Sequence, residues 1–110
     1  MITVKSYFDF KKAYSKGKSY GNRNLVLYVR KNNLAYTRVG FTVSKKVGTA
    51  VVRNKIKRRL REIFREYEDS IKEGYDLIFI VKRNVPDISF QQLRSAFFHI
   101  LKISKMVNNK

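Results

Sequence analysis

The chain contains no cysteine, which excludes a disulfide framework and any thiolate metal site. No stretch of it approaches the roughly 18 consecutive apolar residues that a transmembrane helix needs. The opening MITVKSYFDF is too polar for a signal peptide, with Asp9 arriving early. A cytoplasmic protein with no membrane partner is the expectation. Acids are scarce as well: Asp9, Glu62, Glu66, Glu68, Asp69, Glu73, Asp76 and Asp87 are all eight of them. A protein nuclease usually needs converging carboxylates for metal ions, or a His, Tyr or Lys constellation. Here Glu62, Glu66, Glu68 and Asp69 lie along one predicted helix and its end, where neighbouring Arg and Lys are the simpler partners. The single histidine, His99, stands next to Phe98 on the last predicted helix and reads as a packed or surface residue. Gly48 is alone, so no glycine-rich phosphate loop is present. No catalytic residue and no metal ligand is assigned, and the chain by itself is expected to catalyse nothing.

What the chain has is positive charge. Twenty-five Lys and Arg against eight acids give a net charge of +17 over 110 residues, a statement about partners rather than fold. Nucleic acid fits this charge, with a membrane surface as the rival. A hydrophobic content of 44%, with seven Tyr and eight Phe, separates the chain from disordered polycations. Its length suits one domain, residues 1–110, with a modest core.

Charge concentrates in Ser44 to Arg65, SKKVGTAVVRNKIKRRLREIFR, where Glu62 is the only acid. Apolar residues thread this stretch at helical spacing, as a disordered tail would not require. At about 100° per residue, Val52, Ile56, Leu60, Ile63, Phe64 and Tyr67 form a core-facing stripe. Asn54, Lys57, Arg58, Arg61 and Arg65 line the next sector without a carboxylate. Lys55, Arg59, Glu62 and Glu66 make a mixed sector that can pair internally, for instance Arg59 with Glu62. A helix seeking only solubility would mix charge on both flanks. Leaving one flank unpaired and self-repelling implies a polyanion that supplies the countercharge.

Along the rest of the chain, Ser6 to Lys16 predicts a short first helix, capped through Ser6 and Asp9, with Phe10, Ala13 and Tyr14 on one face and Gly17 as its stop. KGKSYGNR predicts a loop or a brief edge strand. Asn24 to Arg30 alternates as a strand with Leu25, Leu27 and Val29 on one face and Val26, Tyr28 and Arg30 on the other. After a turn at Lys31 to Asn33, Tyr36 to Ser44 alternates again, with Val39, Phe41 and Val43 inward and Tyr36, Arg38, Thr42 and Ser44 outward. The two strands are expected to pair as a hairpin. Tyr75 to Lys82 loses alternation through Leu77–Val81, as a strand buried on both faces in the sheet interior would. Ser89 and Gln92 predict a capping box. The last helix then buries Phe90, Leu93, Phe97, Ile100 and Leu101, and the final KMVNNK is expected to fray. The fold class is α+β: one domain with helices packed on a mixed sheet.

Two surfaces suited to RNA follow. The basic flank, led by Ser44, Lys45, Lys46 and Gly48, would hold backbone phosphates, with loop amides adding donors at the helix start. Tyr28 and Tyr36 on the outward strand face, with Phe10 and Tyr14 from the first helix, would stack the bases of a single strand at about 1–3 kcal/mol each.

The same basic stretch carries a resemblance. A Lys-Lys, a Gly two residues on, Ala-Val-x-Arg-Asn-x-x-Lys-Arg and a later Arg-Glu resemble the signature of the bacterial ribonuclease P protein subunit. One position departs: Lys55 stands where the family's Arg-Asn-Arg core has its third residue, keeping the charge without arginine's bidentate fork. Asp9-Phe10, Tyr14, Gly17, Asn22-Arg23 and Leu27-Tyr28 fall where the family has matching residues. The resemblance implies the order α-β-β-β-α-β-α, akin to the second domain of a small-subunit ribosomal protein, with an extra short strand at Lys18 to Asn22. It also implies a left-handed strand-helix-strand crossover, where chain physics alone favours the right-handed one. It assigns Lys45, Lys46, Arg53, Asn54, Lys57, Arg58 and Arg61 to the catalytic RNA, to which the basic flank adds Arg65. Phe10, Tyr14 and Tyr28 would receive the single-stranded 5′ leader of precursor tRNA. The RNA would hold the Mg²⁺ ions and cleave one phosphodiester bond, with no tightly bound protein cofactor and no protein partner required. A ribosomal or other structural RNA-binding protein is the alternative, and a nucleoid-type DNA binder, favouring duplex, a third.

Overall fold

The computed structural model describes residues 1–107. Ten elements follow one another: β1 (Ile2–Thr3), α1 (Tyr7–Lys16), β2 (Lys18–Gly21), β3 (Leu25–Lys31), β4 (Arg38–Thr42), α2 (Ala50–Tyr67), a 3₁₀ turn (Glu68–Ser70), β5 (Tyr75–Val81), a second 3₁₀ turn (Val85–Asp87) and α3 (Phe90–Ile103). From α1 onward this is the expected order. The two-residue β1, too short to carry a sequence pattern, adds a parallel edge to β4.

The five strands form one mixed sheet in the order β1-β4-β5-β3-β2. β5 sits at its centre, antiparallel to β3 and parallel to β4. Its run Leu77-Ile78-Phe79 is fully buried because helices cover it from both sides. This placement corrects the expected hairpin. β3 and β4 alternate as paired strands would, but the doubly apolar β5 needs neighbours on both edges and lies between them. The connection from Asn32 to Thr37 therefore bridges two strand spacings, about 10 Å. It is shaped by the Asn32 side chain, which accepts from the Leu34 amide and donates to the Tyr36 carbonyl. The antiparallel hairpin is instead β2–β3, closed by Asn22, whose side-chain oxygen accepts from the amides of Asn24 and Leu25 at 3.0 and 2.9 Å.

Side-chain alternation divides the sheet into two faces. On one, Leu25, Leu27, Val29, Val39, Leu77, Phe79 and Val81 pack under Ile56, Leu60, Ile63 and Phe64 of α2 and Leu93, Phe97, Ile100 and Leu101 of α3. Phe79 and Phe97 stack with centroids 4.4 Å apart, and burying each such ring stabilises by about 1.5–3 kcal/mol. The α3 capping box forms as expected, Ser89 and Gln92 each bonding the other's backbone amide. Beyond α3 the fraying expected of KMVNNK is corrected in part. Met106 and Val107 are each only 5% exposed, because the Lys72 amide bonds the Met106 carbonyl and draws this segment onto the core. Asn108, Asn109 and Lys110 lie outside the described residues. On the opposite face, α1 packs Phe10 and Ala13 against Ile78, Tyr28 and Ile80.

Candidate nucleic-acid interface

The loop before α2 is built from short local contacts. Val47 is buried and anchors it, with its amide on the Ser44 carbonyl. Thr49 caps the helix by accepting from the Val52 amide. Arg53 donates from Nε to the Gly48 carbonyl at 3.2 Å, so this residue shapes the loop as well as carrying charge. Lys45 and Lys46 stand exposed on the turn.

Past the first turn, Ile56, Leu60, Ile63 and Phe64 are buried while Asn54, Arg58, Arg61 and Arg65 are exposed and Lys57 is half-buried. Among the described residues, the ion pairs engage none of these side chains. The expected Arg59–Glu62 pair does not form among the described residues, where neither side chain takes part in an ion pair. Glu66 holds Arg94 of α3 through both oxygens at 3.0 and 2.9 Å, and Glu68 meets the Met1 amine at 3.0 Å. Packing of α2 against α3 brings Arg94 to Glu66, and no ion pair among the described residues neutralises the basic flank.

On the second face of the sheet, register sets three rows across β3, β5 and β4: Arg30–Asp76–Arg38, Tyr28–Ile78–Gly40 and Val26–Ile80–Thr42. The first row is an ion-pair network that sequence reading missed, since Asp76 looked like one acid among eight. Its carboxylate is fully buried and takes a two-pronged grip from Arg38, Nε to Oδ1 at 2.8 Å and Nη2 to Oδ2 at 2.7 Å. Arg30 at 3.2 Å and the Asn32 amide at 3.0 Å complete it. Arg38 also reaches Asp9 of α1 at 3.2 Å. Burial pushes the Asp76 carboxyl up, but hydrogen bonds from Arg38 and Asn32 and the charges of Arg38 and Arg30 outweigh it, so its pKa lies below the usual carboxylate value. The hydrogen bond to Asp76 raises Arg38 further above its ordinary range. The only signal in the sequence was an Asp at the start of an apolar strand, where an uncompensated charge would not be tolerated.

The middle row lies under α1. Gly40 lets the helix approach: a Cβ there would sit 2.8 Å from the Phe10 ring. Phe10 is thereby half-buried as an anchor of α1. Tyr14 meets Tyr28 edge-to-face at 5.0 Å, its hydroxyl lies 3.3 Å from Thr42 Oγ1, and it remains 39% exposed. The third row is only half-covered, leaving a shelf of Val26, Ile80 and Thr42 beside the Tyr14 and Tyr28 rings. Thr42 ends β4 and leads through Val43 into Ser44, so shelf and basic loop share one pole of the sheet.

Tyr36 does not join this shelf. The strand begins only at Arg38, and the preceding bend carries Tyr36 to a hollow shared with Phe64, Glu68, Asp69, Ile71 and Glu73, an acidic setting unsuited to phosphate. His99 lies on the surface with Nδ1 3.2 Å from the Asn22 side-chain amide, a link between α3 and the β2–β3 turn. Among the described residues no three His, Cys, Asp or Glu side chains are grouped to hold a metal ion, and no helix is long and apolar enough to cross a membrane.

The chain is similar to known proteins. The family model Ribonuclease P matches residues 2–105. The ribonuclease P protein component of Alkaliphilus oremlandii is 43% identical over 101 residues, covering 92% of this chain and 89% of its own. The RNase P protein of Staphylococcus aureus superposes with a TM-score of 0.92 at 38% identity, over 98% of this chain and 99% of its own. That of Thermotoga maritima gives 0.85 at 33%, over 94% and 97%. With the signature stretch on the exposed flank of α2 and the match spanning nearly the whole fold, the chain belongs to the ribonuclease P protein family.

Proposed function

We propose that the chain works within ribonuclease P by gripping the catalytic RNA and capturing the 5′ leader of precursor tRNA, so that the RNA removes the leader and leaves a mature tRNA 5′ end. The observation that carries this reading is the shared pole: an acid-free basic loop and helix flank adjoin a half-covered aromatic shelf. Lys45, Lys46, Asn54, Lys57, Arg58, Arg61 and Arg65 neutralise RNA phosphates, and Arg53 does so while holding the loop. Tyr14 and Tyr28 offer ring faces to leader bases, with Phe10 fixing the helix that presents Tyr14. Tyr36 is left out of the shelf by its position.

Catalysis belongs to the RNA, which holds the Mg²⁺ ions, and the protein lowers the Mg²⁺ requirement by neutralising charge. No further protein is needed, and the reaction takes place in the cytoplasm. The test is precursor-tRNA cleavage at low Mg²⁺ with bacterial ribonuclease P RNA alone, this chain alone, and both together. Cleavage only in the mixture is expected. Salt-dependent RNA binding without cleavage in the mixture would favour a structural RNA-binding role, and cleavage by the chain alone would place a catalytic site in the protein.

A further inference from the structure

At the pole of the sheet opposite the α2 loop, several elements end together. Lys16 closes α1, Lys18 opens β2, Lys31 ends β3 opposite Tyr75 at the start of β5, Lys72 precedes β5, and Lys105 follows α3. These five lysines line one hollow of about 430 Å³, and among the described residues no carboxylate lines it with them. Asp76, the partner of the lining residue Arg30, is already held by Arg30 and Arg38. Among the described residues none of the five lysines takes part in an ion pair.

Part of this charge has a local explanation. α1 and α3 both end here, and cations suit the carbonyl ends of helices, which accounts for Lys16 and Lys105. Lys18, Lys31 and Lys72 belong to neither helix. Lys105 itself holds a left-handed backbone, φ 62°, at the helix-ending position glycine usually fills. A lysine is thus placed at the rim where the chain would more easily accept a glycine.

We infer that this hollow binds adjacent phosphates of an RNA strand, a second anchoring point distinct from the α2 flank; the inference rests on the ribonuclease P reading for the identity of the polyanion. The donors are flexible ammonium groups from separate elements; Arg30 also lines the hollow but its guanidinium is engaged by Asp76, and no helix N-terminus is aimed inward. That arrangement neutralises a backbone rather than fitting one small anion. With β3 and β5 each seven residues long, the two anchoring points lie about 20 Å or more apart, so they would engage different parts of a folded RNA.

The test is amide hydrogen exchange on the complex of the full chain with ribonuclease P RNA, read beside the salt dependence of binding for the chain and its triple variant Lys18→Ala, Lys31→Ala, Lys72→Ala. Slowed exchange in segments 16–20 and 103–107 as well as 45–58 is expected, with the variant's slope of log K against log salt shallower by about 2. Matching circular dichroism and restoration by Lys→Arg at the same positions would exclude misfolding as the cause. Protection confined to 45–58 with an unchanged slope would overturn the second anchor while leaving the ribonuclease P reading in place. No protection anywhere would overturn both. A parallel arm with inorganic triphosphate separates the sources: protection of 103–107 by triphosphate but not by the RNA would make this a site for free polyphosphate, against the inference.

Discussion

Tyr14 and Asp76 show how much one side chain can decide in this molecule. Tyr14 is held edge-on to Tyr28 with its hydroxyl toward Thr42, yet keeps an exposed face. Tyr14→Ala should weaken binding of leader-bearing precursor by about 1–3 kcal/mol and leave mature tRNA unaffected, as titrations of both RNAs would read; equal loss for the two would remove the leader from the shelf. Asp76 bears on stability instead. Its folded pKa lies below the unfolded one near 3.9, so its contribution is fully present above that value and is lost as pH falls through the depressed one. Thermal midpoints should be flat with respect to this group near neutrality and drop below about pH 4. Asp76→Asn should cost about 3 kcal/mol or more at pH 7, because it strands Arg38 and Arg30 beside a neutral amide, and it should blunt that acid limb. A chemical-denaturation series against pH measures both.

At the scale of elements, α1 depends on one close approach and α2 on one apolar stripe. Gly40→Ala would push a methyl into the Phe10 ring and should cost about 1–3 kcal/mol in urea unfolding. Leader affinity should fall with it, since α1 carries Tyr14; unchanged leader affinity in a folded variant would separate the helix from the shelf. α2 was legible in the sequence because Ile56, Leu60, Ile63 and Phe64 recur at helical spacing and the flank beside them lacks acids. The two shelf tyrosines were legible for a weaker reason, alternation along β3 and a short helix with one apolar face. Strand pairing was not legible. Alternation in β3 and β4 fixes which side chains face the core but not which strand lies between them, and only the apolar run of β5 hinted that it would take the centre. The Asp76 network escaped for the same reason, since Arg30, Arg38 and Asp76 come into line only through that pairing. Tyr36 was misplaced because alternation was extended two residues past the true start of β4.

For the molecule as a whole, +17 is carried on a domain whose Cα radius of gyration is 13.1 Å. At that density self-repulsion opposes folding, and multivalent anions that bind the folded surface should raise stability by mass action. The unfolding midpoint of the free chain should therefore rise when sulfate replaces chloride at equal ionic strength, beyond what a neutralised variant such as Arg58→Ala with Arg61→Ala and Arg65→Ala shows. An equal rise in both would assign the effect to the general salting of apolar surface.

The central position of β5 also sets an order of events during synthesis. β3 and β4 do not pair with each other, so as the chain leaves the ribosome each has an edge that nothing made so far can satisfy. The strand that joins them follows some thirty residues after β4 ends, beyond the whole of α2. Until Tyr75–Val81 emerges there is no sheet for α2 to rest on, and its most basic stretch is displayed on a chain without a core. A nascent polypeptide stopped short of β5 would be an unfolded polycation amid ribosomal RNA, and one completed past α3 could close strand, helix and core in a single late step.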